Sequence, residues 1–342
     1  MKAVLKKERA VGFTVEDVDV PKIGDGEILV KVEVASICGT DVHIYDWNDW
    51  AQKHVNPPLI AGHEFAGVVV DKGKAVNRVN IGDFVSSETH IYCNHCDMCL
   101  MNHREVCRNL KILGVDTNGA FAEYVKIPER VAWINPKEIS HKFASIQEPL
   151  GNAVDTVLAE DVSGKTVLVT GAGPIGLLAI GVARVFGATK IFVSDLSNYH
   201  LEIAKQMGAD VVVNPKEADL KEAVLDGTHG LGVDVTLEMS GSKSALKDAL
   251  SLTKYCGRIS LLGLFDNEVQ IDLTDSVIFK KVRIYGITGR RIFETWQIVS
   301  SLLSSGRLDV SPVITHEFKL EEIEKGVELM KTYQSGKILL YP

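Results

Sequence analysis

Apolar and polar positions alternate with a period of two through the first third of the chain. Residues 28–34, ILVKVEV, set Lys31 and Glu33 between aliphatic neighbours, the pattern of a half-buried strand. Residues 65–70 (FAGVVV) and 121–127 (FAEYVKI) predict further strands, separated by turn-rich stretches such as VNPPL, DKGKAVN and VDTNG. Near residue 155 the pattern changes. Short β-branched runs at 166–170, 190–195, 210–213, 233–239, 258–264 and 282–287 alternate with helical patterns, for example 174–186 and 199–207. Six such runs with helical crossovers predict a parallel sheet covered on both faces. The chain closes with an amphipathic helix at 293–303 and a strand at 337–341.

Composition narrows the class. A length of 342 residues suits two domains. With 46 % apolar and 24 % charged residues, disorder, collagen and small disulfide scaffolds are excluded. A net charge of −8 argues against a nucleic-acid face. No apolar run reaches the roughly 18–20 residues of a membrane span. The start, MKAVLKKERAVGF, has no apolar leader segment, which predicts a cytoplasmic protein.

Two motifs carry chemistry on their own. Strand TVLVT runs into Gly171-Ala172-Gly173-Pro174-Ile175-Gly176 and then an apolar helix, the context in which GxGxxG binds a dinucleotide. Gly171 permits the turn, Gly173 the approach of a pyrophosphate, and Gly176 close helix–strand packing. Asp195, at the end of KIFVSD, is placed to accept from the adenosine ribose and to repel a 2′-phosphate, favouring NAD over NADP. Cys93-x2-Cys96-x2-Cys99-x7-Cys107 puts four of the six cysteines within fifteen residues. This spacing suits a closed, structural zinc site; two disulfides or an iron–sulfur cluster would use the same residues. Cys256 stands apart and reads as a small buried apolar residue.

A second metal set is weaker piece by piece. Cys38-Gly-Thr40-Asp41-x-His43 follows one strand, and Gly62-His63-Glu64-x-x-Gly67 lies downstream. A thiolate and an imidazole from separate loops suggest a catalytic zinc with an open position. Taken with the four-cysteine lobe and GAGPIG, in that order, the chain resembles the zinc-containing medium-chain dehydrogenases. The resemblance implies an α/β protein: a GroES-like β-rich catalytic domain (1–154, with the zinc lobe near 90–110), a Rossmann doubly wound parallel sheet (155–291), and a return to the catalytic domain (292–342).

Four segments, CGTDVHIYDW (38–47), EPLGNAVD (148–155), LEMSG (237–241) and GITGR-x-IFETW (286–296), are similar to the L-threonine 3-dehydrogenase branch of that family. The resemblance implies oxidation of the 3-hydroxyl of L-threonine to 2-amino-3-oxobutanoate, with NAD and two zinc ions per chain, in a homotetramer. Cys38, His63 and Glu64 match the catalytic zinc ligands, and Glu148 the acid beside them. No second cysteine ligand is present, so Glu64, Glu148 or water completes the shell. Thr40 and His43 match a hydroxyl-to-imidazole proton relay; the alternative is that Thr40 and Asp41 simply cap a short helix, with His43 on its exposed side. Cofactor contacts fall on Ile175, Asp195, Leu262, Gly263, Leu264, Gly286 and Ile287. Position 200, commonly Arg in the family, is His200, which puts one ribose or adenine contact in doubt. Glu148 is a candidate partner for the substrate ammonium, Arg290 for its carboxylate or for the cofactor, and His90 for the pocket wall. Trp47 and Trp50 either cover the cleft or pack locally. The competing readings are a polyol or 2,3-butanediol dehydrogenase, and a nucleotide-binding structural protein that has lost its chemistry.

Overall fold

The computed structural model describes residues 1–342. They form two compact units: 1–149 with 291–305 and 314–342, and 150–290 with 306–313. Residues 306–313 fall in the second unit, a departure from the expected uninterrupted return over 292–342. There Leu308 lies beside Gly181 of the helix Pro174–Val185, so an apolar side chain draws this segment to the nucleotide-type fold.

The first unit is built on antiparallel pairing. Its seven-stranded sheet runs Ala132–Ile134, Phe84–Ser87, Glu64–Lys72, Glu27–Ser36, Lys337–Tyr341, Ile314–Lys319, with Tyr124–Pro128 also on Glu27–Ser36. Val30, Val32 and Val34 are buried while Lys31 is exposed, the alternation visible in the sequence. The C-terminal strand joins by pairing Leu339 with Ser36 and Leu340 with Ala35. The cysteine lobe hangs from a two-stranded ribbon, His90–Ile91 with Lys111–Ile112.

The second unit is a six-stranded, all-parallel sheet. Its order is Val211–Val213, Lys190–Ser194, Thr166–Thr170, Val233–Glu238, Thr253–Leu261, Arg283–Gly286. Numbered within the unit this is 3-2-1-4-5-6, the doubly wound order. The central strand is buried from Val167 onward because helices cover both faces. The fifth strand starts at Thr253 rather than at 258. Its register slips between the pairs Val233/Thr253 and Val235/Arg258, which leaves extra residues on that strand. Cys256 sits in this bulge with φ 60°, and its N–H donates to Lys280 O at 2.8 Å. The local reversal turns the Cys256 side chain outward, so the residue is exposed and not the buried apolar group expected from sequence.

One acid ties down the edge of this sheet. Glu160 accepts from Arg283 Nε at 2.7 Å and Nη2 at 2.9 Å, and from Tyr285 Oη at 2.5 Å. Arg283 above all, helped by Tyr285, holds the Glu160 carboxyl down at about 2. A carboxyl held low in the folded state adds stability above its ordinary value of 4.5 and loses it as pH falls through about 2. Thermal melts of Arg283→Gln should therefore lie below wild type at pH 5–7, and the gap should close as pH approaches about 2.

Candidate metal and dinucleotide sites

The first unit gathers two groups of metal-ligating atoms. Cys38 ends the segment after the strand Glu27–Ser36 and stands as N-cap of the helix Gly39–Asp46. His63 and Glu64 open the strand Glu64–Lys72. One ligand atom from each of Cys38, His63 and Glu64 lies within 4.8 Å of the others. Burial opposes a charged imidazole at His63, yet the Cys38 sulfur, then Asp41, hold it protonated up to about 10. Glu148 adds to the same field. The pocket is thus built to attract positive charge, as a divalent cation site requires.

Two further residues adjoin it: Asp41, expected from the sequence only as a helix cap, which it is, and Lys337, for which no role was expected. Asp41 is fully buried, with one carboxylate oxygen accepting from Cys38 N at 2.9 Å and the other 3.9 Å from His63 Nδ1. Its carboxylate thus lies within electrostatic range of the ring without a hydrogen bond to it. Lys337, from the C-terminal strand, donates to both Glu64 oxygens (2.6 Å to Oε1) and to Ile37 O at 3.0 Å. Ser36 Oγ also donates to Glu64. Asp41 had a local signal in the CGTDxH motif. Lys337 had none, since its partner lies 273 positions away.

The cysteine lobe passes a simple geometric test. Cys93 Sγ lies 4.0 Å from Cys99 Sγ, and Cys96 Sγ 3.8 Å from Cys107 Sγ. Four sulfurs at about 2.3 Å from one tetrahedral ion would stand about 3.8 Å apart. A disulfide needs about 2.05 Å, and all six cysteines are free. Backbone N–H groups of Cys93 and Asn109 point at Cys107 Sγ, at 3.2 and 3.4 Å. Those of Cys96 and the Asn109 amide point at Cys93 Sγ, at 3.4 and 3.5 Å. The Asn109 amide, with backbone donors, holds Cys93 down at about 5. Such N–H···S contacts favour the thiolate, the form that binds metal, whereas burial pushes the Cys99 thiol up to about 12.

Thr40 and His43 share the helix Gly39–Asp46, three positions apart. Thr40 is half-buried with Oγ1 3.8 Å from Cys38 Sγ, and His43 is exposed. Asn48 Nδ2 lies 2.7 Å from His43 Nδ1, while Asn48 Oδ1 accepts from Ala51 N. That leaves Nε2 as the ring nitrogen for proton exchange. Trp47 and Trp50 both pack against the core of the first unit, Trp50 also against His43 and His54. His90 and Glu148 are buried in the same unit; Glu148 lies in the first turn of the helix Gln147–Val157. Arg290 lies in the second unit, fully buried, with Nε donating to Asn152 Oδ1 at 3.1 Å.

In the second unit the cofactor residues converge at the carboxyl ends of the strands, where a doubly wound sheet binds its ligand. Gly171 has φ 93°, and a Cβ on Gly176 would meet Gly171 O at 2.1 Å, so both must be glycine. A Cβ on Gly173 would meet nothing within 4 Å, which is open room for a pyrophosphate at the helix N-terminus. Asp195 accepts from Ala172 N at 2.6 Å and Ser197 N at 2.8 Å. His200 is buried with Nδ1 3.5 Å from Asp195. Burial pushes the Asp195 carboxyl up, but His200 and the N–H donors outweigh it and keep the acid ionised. Position 200 thus supports the acid from beneath. Ile175 lies in the first turn of its helix; Leu262 and Gly263 turn back through N–H bonds to Glu238 O, and Ile287 N donates to Leu261 O. Leu264 and Gly286 are exposed at the ends of their strands.

A nucleotide-binding sheet joined to a β-rich unit with an open Cys–His–Glu set defines a metal-dependent dehydrogenase. Residues 24–137 match the alcohol dehydrogenase GroES-like domain, and 174–305 the zinc-binding dehydrogenase domain. The chain belongs to the zinc-binding dehydrogenases of the medium-chain family and is an oxidoreductase. It is 51 % identical over 340 residues to a protein of Pyrococcus abyssi named L-threonine 3-dehydrogenase, covering 99 % of this chain and 98 % of that one. A Bacillus subtilis protein of the same name is 48 % identical over 342 residues, covering 100 % and 99 %. Among solved structures, an Escherichia coli alcohol dehydrogenase complexed with NADH superposes with TM-score 0.91 at 29 % identity, covering 100 % and 99 %. The 2R,3R-butanediol dehydrogenase of Bacillus subtilis gives 0.90 at 28 %, with the same coverage. No helix is long and apolar enough to cross a membrane.

The two metal sets should respond differently to mutation. Cys96→Ser should lower the melting temperature and speed proteolysis of the lobe, because a closed site holds its own loop together. Cys38→Ser should abolish turnover with a melting temperature close to wild type, because it removes a ligand from an open site.

Proposed function

We propose that this oxidoreductase oxidises C3 of L-threonine to 2-amino-3-oxobutanoate with NAD as acceptor, a step of cytoplasmic threonine degradation. The observation that carries this reading is the identity of about half of all positions, over nearly the whole chain, to proteins named for that reaction. Butanediol dehydrogenase shares the fold at 28 % identity, well below that. Two zinc ions per chain fit the two ligand sets, one catalytic and one structural. The ionised Asp195 disfavours a 2′-phosphate and supports NAD over NADP.

Zinc held by Cys38, His63 and a carboxylate supplies a Lewis acid for the substrate hydroxyl, and the nicotinamide supplies the hydride acceptor. The protein's own groups do the rest. Asp41 lies beside His63, Lys337 holds Glu64, and Glu148, whose charge also acts on His63, faces the substrate. Glu148 pairs with the threonine ammonium, and His90 forms part of the pocket wall. Thr40 takes the hydroxyl proton and passes it to His43, which exchanges it with water through Nε2. We also propose a homotetramer. The edge strand Arg283–Gly286 exposes Ile284, and Tyr255, Ile278 and Phe279 add exposed apolar surface in the same unit, features that favour self-association. Light scattering of the purified protein reads the assembly.

The deciding experiment is NAD⁺ reduction across L-threonine, L-serine, sorbitol and 2,3-butanediol, repeated with NADP⁺. Each charge-assisted contact contributes roughly 1.5–3 kcal/mol, so threonine should exceed the uncharged alcohols by 10²-fold or more in kcat/KM. L-Serine, lacking one methyl, should be poorer by about tenfold. A better rate with sorbitol or butanediol, or with NADP⁺, overturns the reading.

The relay has its own test. His43→Ala should lower kcat by about 10²-fold, the scale of a lost acid–base group, at unchanged zinc content. Full activity in that variant would mean that protons leave by another route.

A further inference from the structure

The GITGR-x-IFETW segment runs into the helix Glu294–Ser304, which supplies no metal ligand and no cofactor contact. Two of its residues, Trp296 and Ser300, stand one turn apart on the same face and are fully buried. Trp296 Nε1 donates to Glu88 Oε2 at 2.9 Å, and the other oxygen of Glu88 accepts from His90 N at 2.9 Å. Glu88 is itself wholly buried. One carboxylate therefore joins the helix to the backbone of His90.

Ser300 anchors a second branch. Its hydroxyl accepts from Trp133 Nε1 at 2.7 Å and lies 3.1 Å from Gln147 Oε1. An indole N–H can only donate, so the single hydroxyl proton of Ser300 goes to Gln147. Gln147 Nε2 then donates to Asn135 Oδ1 at 2.6 Å, Asn135 Nδ2 to Ser86 Oγ at 3.0 Å, and Ser86 Oγ to Ala144 O at 2.8 Å. The chain of donors runs one way from an indole to a backbone carbonyl, through groups that are nearly all buried. Gln147 is the residue before Glu148 and begins the same helix. The Trp133 ring, 6.0 Å from that of Trp296, packs the two branches together.

We propose that Trp296 and Ser300 are positioning residues for the substrate end of the site. Trp296 acts through Glu88 on His90, and Ser300 acts through Gln147 on Glu148. The proposal rests on the reading above that His90 and Glu148 face the substrate.

Double-mutant cycles on the intact zinc-loaded enzyme test it. Trp296→Phe keeps the ring and removes the donor. It should raise KM for L-threonine about tenfold, the order of one displaced polar contact, with kcat within about threefold of wild type and KM for NAD⁺ unchanged. Ser300→Ala should do the same to a smaller extent. Combined with His90→Ala, Trp296→Phe should add nothing further, and Ser300→Ala should add nothing to Glu148→Gln, because each acts through its partner. Additive effects, an unchanged KM, or a lower melting temperature with equal losses for substrate and NAD⁺ would overturn the proposal. Ser300→Ala removes one oxygen from a helix, so its cycle decides the matter if Trp296→Phe does not fold. If the wild type fails to oxidise L-threonine, the functional reading falls, and the same cycles on the hydroxyl substrate it does oxidise still test the positioning.

Discussion

A buried ion pair between Lys337 and Glu64 governs how the first unit is put together. Glu64 is fully shielded and Lys337 nearly so, and neither charge could stay there alone without a heavy desolvation cost. The pair forms only when the C-terminal strand lies against the strand Glu27–Ser36, which itself pairs with Glu64–Lys72. Closing the fold and placing a carboxylate beside Cys38 and His63 are therefore the same event. The remaining Glu64 acceptor capacity goes partly to Ser36, so the acid arrives at the metal site already oriented.

Several other candidate site residues also have a buried polar neighbour. In the first unit Asp41 lies 3.9 Å from His63 Nδ1 and Glu88 accepts from His90 N; in the second unit His200 lies 3.5 Å from Asp195. Low dielectric strengthens a hydrogen bond such as that accepted by Glu88, and it makes a missing partner costly. Charged and amide side chains can therefore lie inside the first unit where they find partners, as Glu88, Gln147 and Asn135 do. The positioning role proposed for Trp296 and Ser300 would give the helix Glu294–Ser304 a purpose that its distance in sequence from every candidate ligand conceals.

The residues with local signatures were legible from the amino-acid order. The period-two run at 28–34, the six β-branched runs and the glycine turn at 171–176 all name elements that the structure contains. The four-cysteine spacing is equally local, because a single loop brings the four sulfurs together. Backbone irregularity was not legible. Cys256 looks apolar and strand-bound, yet a register slip of its strand turns it out to solvent. Residues 306–313 look like part of the closing segment, yet packing of Leu308 near Gly181 places them with the second unit.

Sequence by itself determined which chemistry the chain can carry, because ligand identity, glycine positions and hydrophobic period are properties of neighbouring residues. Tertiary structure alone decided who stands behind whom. Lys337 meets Glu64 across 273 positions, Trp296 meets Glu88 across 208, and Ser300 meets Gln147 across 153. No periodicity encodes such pairs. They exist because a charge or amide removed from water needs a partner, and the packed fold determines which residue from elsewhere in the chain is there to supply it.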